Sequence, residues 1–238
     1  MADFDERLAA LEQRVGQLED INAIRRLHWA YGYYIDFNRA EDVVQLFAAD
    51  GAVVFLSGEY RGHAGIRRLY GTWFQNYFTQ GVNGPVDGLL LDHFQMQDII
   101  TVAPDRCSAK GRFRGLLMGG SHESRAYKPA GLPLQFFEAG LYENEYVCEA
   151  GIWKIKRLDY MMQWQADYEK GWSKTVAHLQ PAAVPPTDLA SKASMLRLGK
   201  LGTRSLDGRP SRGVLLKEIR SCLPSLNLIA AAWTLDPP

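Results

Sequence analysis

The hydrophobic period of this chain changes partway along, and that change restricts the fold more than any other feature. Through Phe78, apolar residues mostly recur at three- and four-residue steps, the spacing of one helix face. From His93 to Trp164 they alternate, as on strands with two unlike faces. Leu8, Leu11, Val15, Leu18 and Ile21 form a narrow helical seam, suited to a neighbouring element or subunit, which continues or restarts at Asp20 through Ile24, Leu27, Tyr31 and Tyr34. A short helix is expected over 40–48, a strand over Ala52–Leu56 with its return at Glu59–Arg61, and a helix over His63–Phe78. The strands expected next are His93–Val102, Cys107–Met118, Phe136–Cys148 and Ile152–Trp164. Phe94, Met96, Ile100 and Val102 share one face of the first of these, opposite His93, Gln95, Gln97 and Thr101.

Gly119–Gln135 breaks the alternation with a long loop, and loops of that length tend to be lids or disordered. PAAVPPTD, near residue 182, reads as a linker, so the expected division is a domain over 1–170 and an extension over 171–238. Residues 191–238 hold eight Lys/Arg against three Asp/Glu, leaving 1–190 mildly acidic. That balance argues against nucleic acid as a partner. Cys107, Cys148 and Cys222 are widely spaced with no CxxC pair, so they read as free thiols. No His spacing suits a metal, and neither a signal core nor a membrane span is legible. The expectations are therefore a cytoplasmic protein without metal or cofactor, free of membrane and nucleic-acid partners.

Tyr31, Asp36 and His93 are the residues that could carry chemistry. A phenol, a carboxylate and an imidazole around one apolar pocket can move protons unaided. Asp36 falls at a helix C-terminus, where the macrodipole disfavours negative charge by up to about 1 kcal/mol. Read alone, it serves equally well as a cap for the following helix. Tyr31 lies five residues earlier, about 140° around the helix, and Tyr33 and Tyr34 have similar claims. His93 shares its strand face with two glutamines, polar for a core and suitable for a wet pocket wall. Tyr34, Phe55, Trp73, Phe113, Tyr142 and Trp164 are candidates for the lining, although aromatic residues at core spacing are usually just core.

The ordered blocks LEDINAIRRLHWAYGYYID (18–36), AEDVVQLFAADGAVVF (40–55), YRGHAGIRRLYGTWF (60–74), DHFQMQDIITV (92–102) and GLYENEYVCEAGIWKIKRLDY (140–160) resemble the SnoaL-like branch of the nuclear transport factor two-like superfamily. This is the branch of scytalone dehydratase, bile-acid dehydratase and dehydrochlorinase. The resemblance spans roughly residues 8 to 170. It implies a cone-shaped α+β barrel, a curved mixed sheet wrapped around helices with a deep pocket. It also implies that Asp36 and His93 act as a catalytic dyad with Tyr31 as donor, and that Arg157 is the nearest match to a strand arginine that assists some reactions. Commonly such proteins are homo-oligomers, with a trimer favoured over a dimer. The function expected is a cofactor-independent lyase acting on an apolar hydroxylated aromatic or polycyclic small molecule, by dehydratase-like elimination or carbon–carbon lysis such as formaldehyde loss. The alternatives are a steroid-type isomerase or polyketide cyclase, or a non-catalytic binding module.

Overall fold

Helix α1 runs unbroken from Ala2 to Asp36 in the computed structural model, which describes residues 2–56, 58–175 and the backbone of 189–190. The chain divides after Met195, and every described element belongs to the first unit. The residues of α1 up to Arg14 are exposed, so the seam at Leu8 and Leu11 meets no neighbour among the described residues. The second half packs on the sheet, where Ile24 and His28 are fully buried. Polar clamps fix this docking. Asp20 accepts from Arg106 Nε and from Trp153 Nε1 at 2.9 Å, and Arg25 forks onto Asp98 at 2.7–3.1 Å.

The helix stops for a local reason. Asn38 adopts the left-handed conformation at φ 52°, Arg39 N–H donates to the Tyr34 carbonyl and Asn38 N–H to that of Ile35. This double bond pattern is a Schellman closure, with Asn in the place usually held by Gly. Asp36 is thereby the last helical residue. Helix α2 (Ala40–Gln45) follows, shorter than expected, because Phe47 already opens strand β1 (Phe47–Phe55), which turns into β2 (Gly58–Arg61). Helix α3 (Gly62–Arg67) continues as a π-helix over Arg68–Thr79. Wide turns of this kind are rare and gather at functional sites.

Strands β3 (Leu89–Val102), β4 (Ser108–Ser121), β5 (Gln135–Glu149) and β6 (Ile152–Asp167) form an antiparallel meander. β3 begins before its expected start, β5 runs past both expected ends and β6 past its last. β4 starts one residue late and takes three residues assigned above to the loop. β1 joins β6 in parallel, and the order β3-β4-β5-β6-β1-β2-β7 makes one mixed sheet ending on the short β7 (Leu189–Ala190). The fold is α+β as expected. Its sheet is open, with β3 and β7 as edges. The tail beyond residue 190, with Cys222, lies outside the described residues; Cys107 and Cys148 are free thiols.

Three bulges change which side chains face inward. In one, Glu145 pairs with Arg157 and Tyr146 with Ile155, so Lys156 is an extra residue in β6. Met96 pairs with Arg114 and Asp98 with Phe113, so Gln97 is an extra residue in β3. Gly140 pairs with Met162 and Ala139 with Trp164, so Gln163 is extra in β6. A one-residue slip exchanges the two faces beyond it. Ile100 and Val102 therefore pack on the core, while Phe94, Met96 and Ile99 stay on the outer face, more than 40% exposed. The single apolar face expected for Phe94, Met96, Ile100 and Val102 is split in two.

Candidate active site

Aromatic rings from α1, the π-helix and the inner face of the sheet enclose a pocket of about 710 Å³, counted to its open mouth. Its lining, mostly aromatic and aliphatic with a few polar groups, is that of a small-molecule site. The π-helix presents Tyr70, Trp73, Phe74, Tyr77 and Phe78 to this one wall. Opposite stand Phe136 and Tyr142 on β5 and Tyr160 on β6. Two paired glycines, Gly115 and Gly140, make room for the rings. A Cβ at Gly115 would lie 2.8 Å from the Tyr142 ring, and one at Gly140 would lie 2.5 Å from the Tyr160 ring. The loop between β4 and β5 supplies Leu132 to the lining. It is fastened to the end of the π-helix by three bonds: Tyr77 Oη donates to Ala130 O at 2.6 Å, Tyr127 Oη to Tyr77 O at 2.8 Å, and Arg125 Nη2 to Phe78 O at 2.6 Å.

His93 joins this wall from β3. Asp36 Oδ1 accepts the His93 backbone N–H at 2.9 Å and lies 2.5 Å from Nδ1 of its ring. A carboxylate can only accept, so Nδ1 carries the ring proton and Nε2 is left as the basic nitrogen. Gripped at backbone and ring, the imidazole has one orientation. Both side chains are mostly buried, at 13% and 16% exposure. Asp36 does not cap α2, whose N-cap is Arg39 and has no side-chain cap bond.

Tyr31 Oη and Tyr70 Oη are hydrogen-bonded at 2.8 Å, and both phenols are held above their ordinary range, chiefly by burial. Only one of the two can donate to the other, so the pair keeps a hydroxyl hydrogen free for a ligand oxygen. Glu138, inward on β5, accepts from Tyr160 Oη at 2.8 Å and from Gln165 Nε2 at 2.9 Å. Burial raises its carboxyl; the Tyr160 and Gln165 bonds and the nearby His93 oppose that without cancelling it. Among the described residues, no lysine or arginine lines the pocket. A phosphate-bearing cofactor would find no counter-charge on these walls. Among the described residues, no group of three or more His, Cys, Asp or Glu could hold a metal ion, and no helix is long and apolar enough to cross a membrane.

The sequence profile of the SnoaL-like domain matches residues 16–159, from the docked half of α1 to the middle of β6. The chain belongs to the SnoaL-like family. Three solved structures share the fold of this SnoaL-like domain. The crystal structure of LinA is 16% identical, with a TM-score of 0.52 over 65% of this chain and 92% of its own. A hexachlorocyclohexane dehydrochlorinase, LinA type 2, is 17% identical, with a TM-score of 0.51 over 64% and 91%. The type 3 enzyme from Novosphingobium barchaimii LL02 is 17% identical, with a TM-score of 0.50 over 64% and 92%. A comparison with curated proteins finds no match.

Of the residues singled out in the sequence, this SnoaL-like domain gathers Tyr31, His93, Phe55, Trp73 and Tyr142 on the pocket wall, with Asp36 behind His93. Tyr33 is 67% exposed, which leaves Tyr31 as the pocket phenol of the three. Four expected lining residues lie elsewhere. Tyr34 packs beside the core with the Arg39 guanidinium 5.4 Å above its ring. Phe113 is stacked on His28 at 3.8 Å, in the core proper. Arg157 lies on the other face of β6 from Leu158 and is paired with Glu59 at 2.6 Å. The bulge at Gln163 turns Trp164 outward and Gln165 inward. The sequence reading missed Glu138, Tyr70, Tyr160 and Gln165. The signal for Glu138 was a carboxylate at an inward position of the alternating β5 pattern, four residues before Tyr142.

Proposed function

We propose that this protein is a cofactor-independent lyase acting on an uncharged, hydroxylated aromatic or polycyclic small molecule, by elimination or by carbon–carbon lysis such as formaldehyde loss. The observation that carries this reading is the Asp36–His93 pair set into a wall of aromatic rings. His93 Nε2 takes a proton from the substrate, and the Asp36 carboxylate fixes the tautomer and stabilises the imidazolium. Tyr31, relayed by Tyr70, donates a hydrogen bond to the oxygen on which charge develops. Aromatic walls supply apolar burial and stacking, and the absence of a lining cation disfavours substrates bearing a carboxylate or phosphate. The fold neighbours named as dehydrochlorinases carry out an elimination by name, in keeping with this reaction class. The Tyr31–Tyr70 donor pair also suits an enolate, so a steroid-type isomerase is the second reading, using the same base. The SnoaL-like domain works as a homo-oligomer, with the apolar outer face of the sheet as its contact.

The test follows water loss from 4-hydroxy-4-phenylbutan-2-one, whose conjugated product absorbs in the ultraviolet. Asp36→Asn keeps shape and removes charge, while His93→Ala removes the base. If the two act as a unit, each single variant loses nearly as much rate as the double variant. Tyr31→Phe loses less, about 10²–10³-fold, the cost of one oxyanion donor. Unaltered turnover in the double variant rules the dyad out.

A further inference from the structure

Elimination of a hydroxyl needs a second proton, delivered to the leaving oxygen, and the pocket offers several O–H groups. Five are phenols: Tyr31, Tyr70, Tyr77, Tyr142 and Tyr160. Burial holds every one of them above the ordinary phenol value, which makes them hydrogen-bond donors but poor acids. Glu138 is the only carboxyl group on the wall among the described residues. Its two oxygens are each held by a neutral donor, Tyr160 on β6 and Gln165 further along the same strand. No arginine or lysine is there to fix a negative charge. The titratable groups around it are Tyr160 on β6, Tyr142 on β5 and His93 on β3. Burial outweighs the Tyr160 and Gln165 bonds and the nearby His93, which favour the anion, so the carboxyl is shifted toward its protonated form.

We propose that Glu138 is the acid of this site, giving its proton to the leaving hydroxyl while His93 removes the proton on the adjacent carbon. The assignment rests on the elimination reading above and narrows it to β-hydroxy carbonyl compounds that are uncharged and aromatic. The carbonyl oxygen accepts from the Tyr31–Tyr70 pair. The C–H bond breaks, its electron pair forms the carbon–carbon double bond, and the C–O bond breaks with the oxygen leaving as water. His93 gains one proton and Glu138 loses one, so an imidazolium faces a carboxylate, and each favours the other's charged form. Passage of the proton from His93 to Glu138, through the released water, restores the starting state without any external reagent. Two titratable groups held in opposite protonation states within one pocket are the arrangement that acid–base chemistry at neutral pH requires.

The experiment compares two probes that differ only in the leaving group, 4-hydroxy-4-phenylbutan-2-one and its acetate ester. Acetate leaves without a proton. Glu138→Gln is expected to slow loss of water by about 10²–10⁴-fold, the usual contribution of a positioned acid, and loss of acetate by less than about tenfold. In the wild type, the ratio of the two rates falls as pH rises through the titration of Glu138. Infrared difference spectra of the wild type at neutral pH show the carbonyl stretch of a protonated carboxylic acid, absent from Glu138→Gln. The wild-type measurements stand even if that variant fails to fold. Equal slowing of both probes in Glu138→Gln, a pH-independent rate ratio, or no protonated-acid band overturns the acid role and leaves the dyad standing. A wild type inert toward both probes, or an Asp36→Asn/His93→Ala variant that still turns over both, overturns the elimination reading and the acid role with it.

Discussion

Asp36 sits where the helix dipole opposes its charge, and its two bonds to His93 replace the water lost there. His28, two turns earlier on α1, has no such compensation. It is fully buried against Phe113, and its only hydrogen bond is the 3.3 Å contact of Nδ1 with Asn144 Nδ2. His28 Nε2 and both amide atoms of Gln95 are buried without a partner. Burial drives the His28 imidazole down to about 3, against weaker opposition from Gln95 and Asp98. The folded protein therefore holds His28 neutral across a range where the unfolded chain binds a proton. Stability attributable to this residue is intact above the ordinary histidine value and falls as the pH drops from about 6.5 toward 3, by at most about 1.4 kcal/mol per pH unit. Glu138 works in the opposite sense. Its raised carboxyl favours the fold at low pH, and that contribution is lost as pH rises above the ordinary glutamate value. His28→Gln is expected to narrow the difference in urea midpoint between pH 7 and pH 5, and Glu138→Gln to raise the midpoint at pH 7. An unchanged pH dependence in His28→Gln would mean that the acid sensitivity arises elsewhere.

At the scale of elements, the strands that bound the pocket were legible and their facing was legible only in part. Alternation identifies β3 to β6 because each has one face on the core and one outside. It fixes facing only as far as the first bulge. Before Gln97 the parity puts His93 and Gln95 inward, as the sequence implies; beyond it Ile100 and Val102 exchange sides. The bulge at Gln163 misled in the same way for Trp164. None of the extra residues is a glycine, although Gly140 stands at the register shift beside Gln163. The π-helix was hidden too, since Tyr70, Trp73, Phe74, Tyr77 and Phe78 fall at i, i+3, i+4, i+7 and i+8, the stripe that an ordinary α-helix also presents. Gly115 and Gly140, mid-strand in β4 and β5, turn out to be spaces for rings. A methyl group at Gly140 would meet Tyr160 at 2.5 Å and the Met161 carbonyl oxygen at 2.6 Å, and the backbone atom cannot swing aside. Gly140→Ala should therefore spread the bulge at Gln163, withdraw Tyr160 from Glu138 and destabilise the protein by about 1–3 kcal/mol, the cost typical of overpacking. Urea melts give the stability change. A variant as stable as the wild type would show that the bulge absorbs the methyl group.

For the molecule as a whole, the outer face of the sheet decides what else it must bury. Leu90, Phe94, Met96 and Ile99 on β3 and Trp164 on β6 are each 40% exposed or more. Leu116 pairs with Phe94 and Ala139, and Leu141 pairs with Met161, so apolar side chains bridge the interval between the two strands. Large apolar patches on a sheet face are costly to leave in water and usually mark contact surfaces. The sequence pointed to this face but named Ile100 and Val102 as part of it, and the bulge removes both. A second apolar surface lies on the projecting half of α1, where Leu8, Leu11, Val15 and Leu18 are 45–67% exposed at alternating three- and four-residue steps, the spacing of a helix–helix seam. If copies of this chain meet through the sheet, a charge at its centre should separate them without disturbing the pocket. Phe94→Asp and Met96→Asp point away from the site, so the folded protomer is expected to survive and the assembly to dissociate. Light scattering should return an oligomer mass for the wild type at micromolar concentration, with trimer favoured over dimer, and a protomer mass for the double variant. Leu11→Asp with Leu18→Asp, placed on the helix seam, should leave the sheet contact intact and weaken the assembly less. A wild type that scatters as a monomer removes the proposal, and an oligomer that resists the β3 charges but yields to those on α1 transfers the interface to the helix.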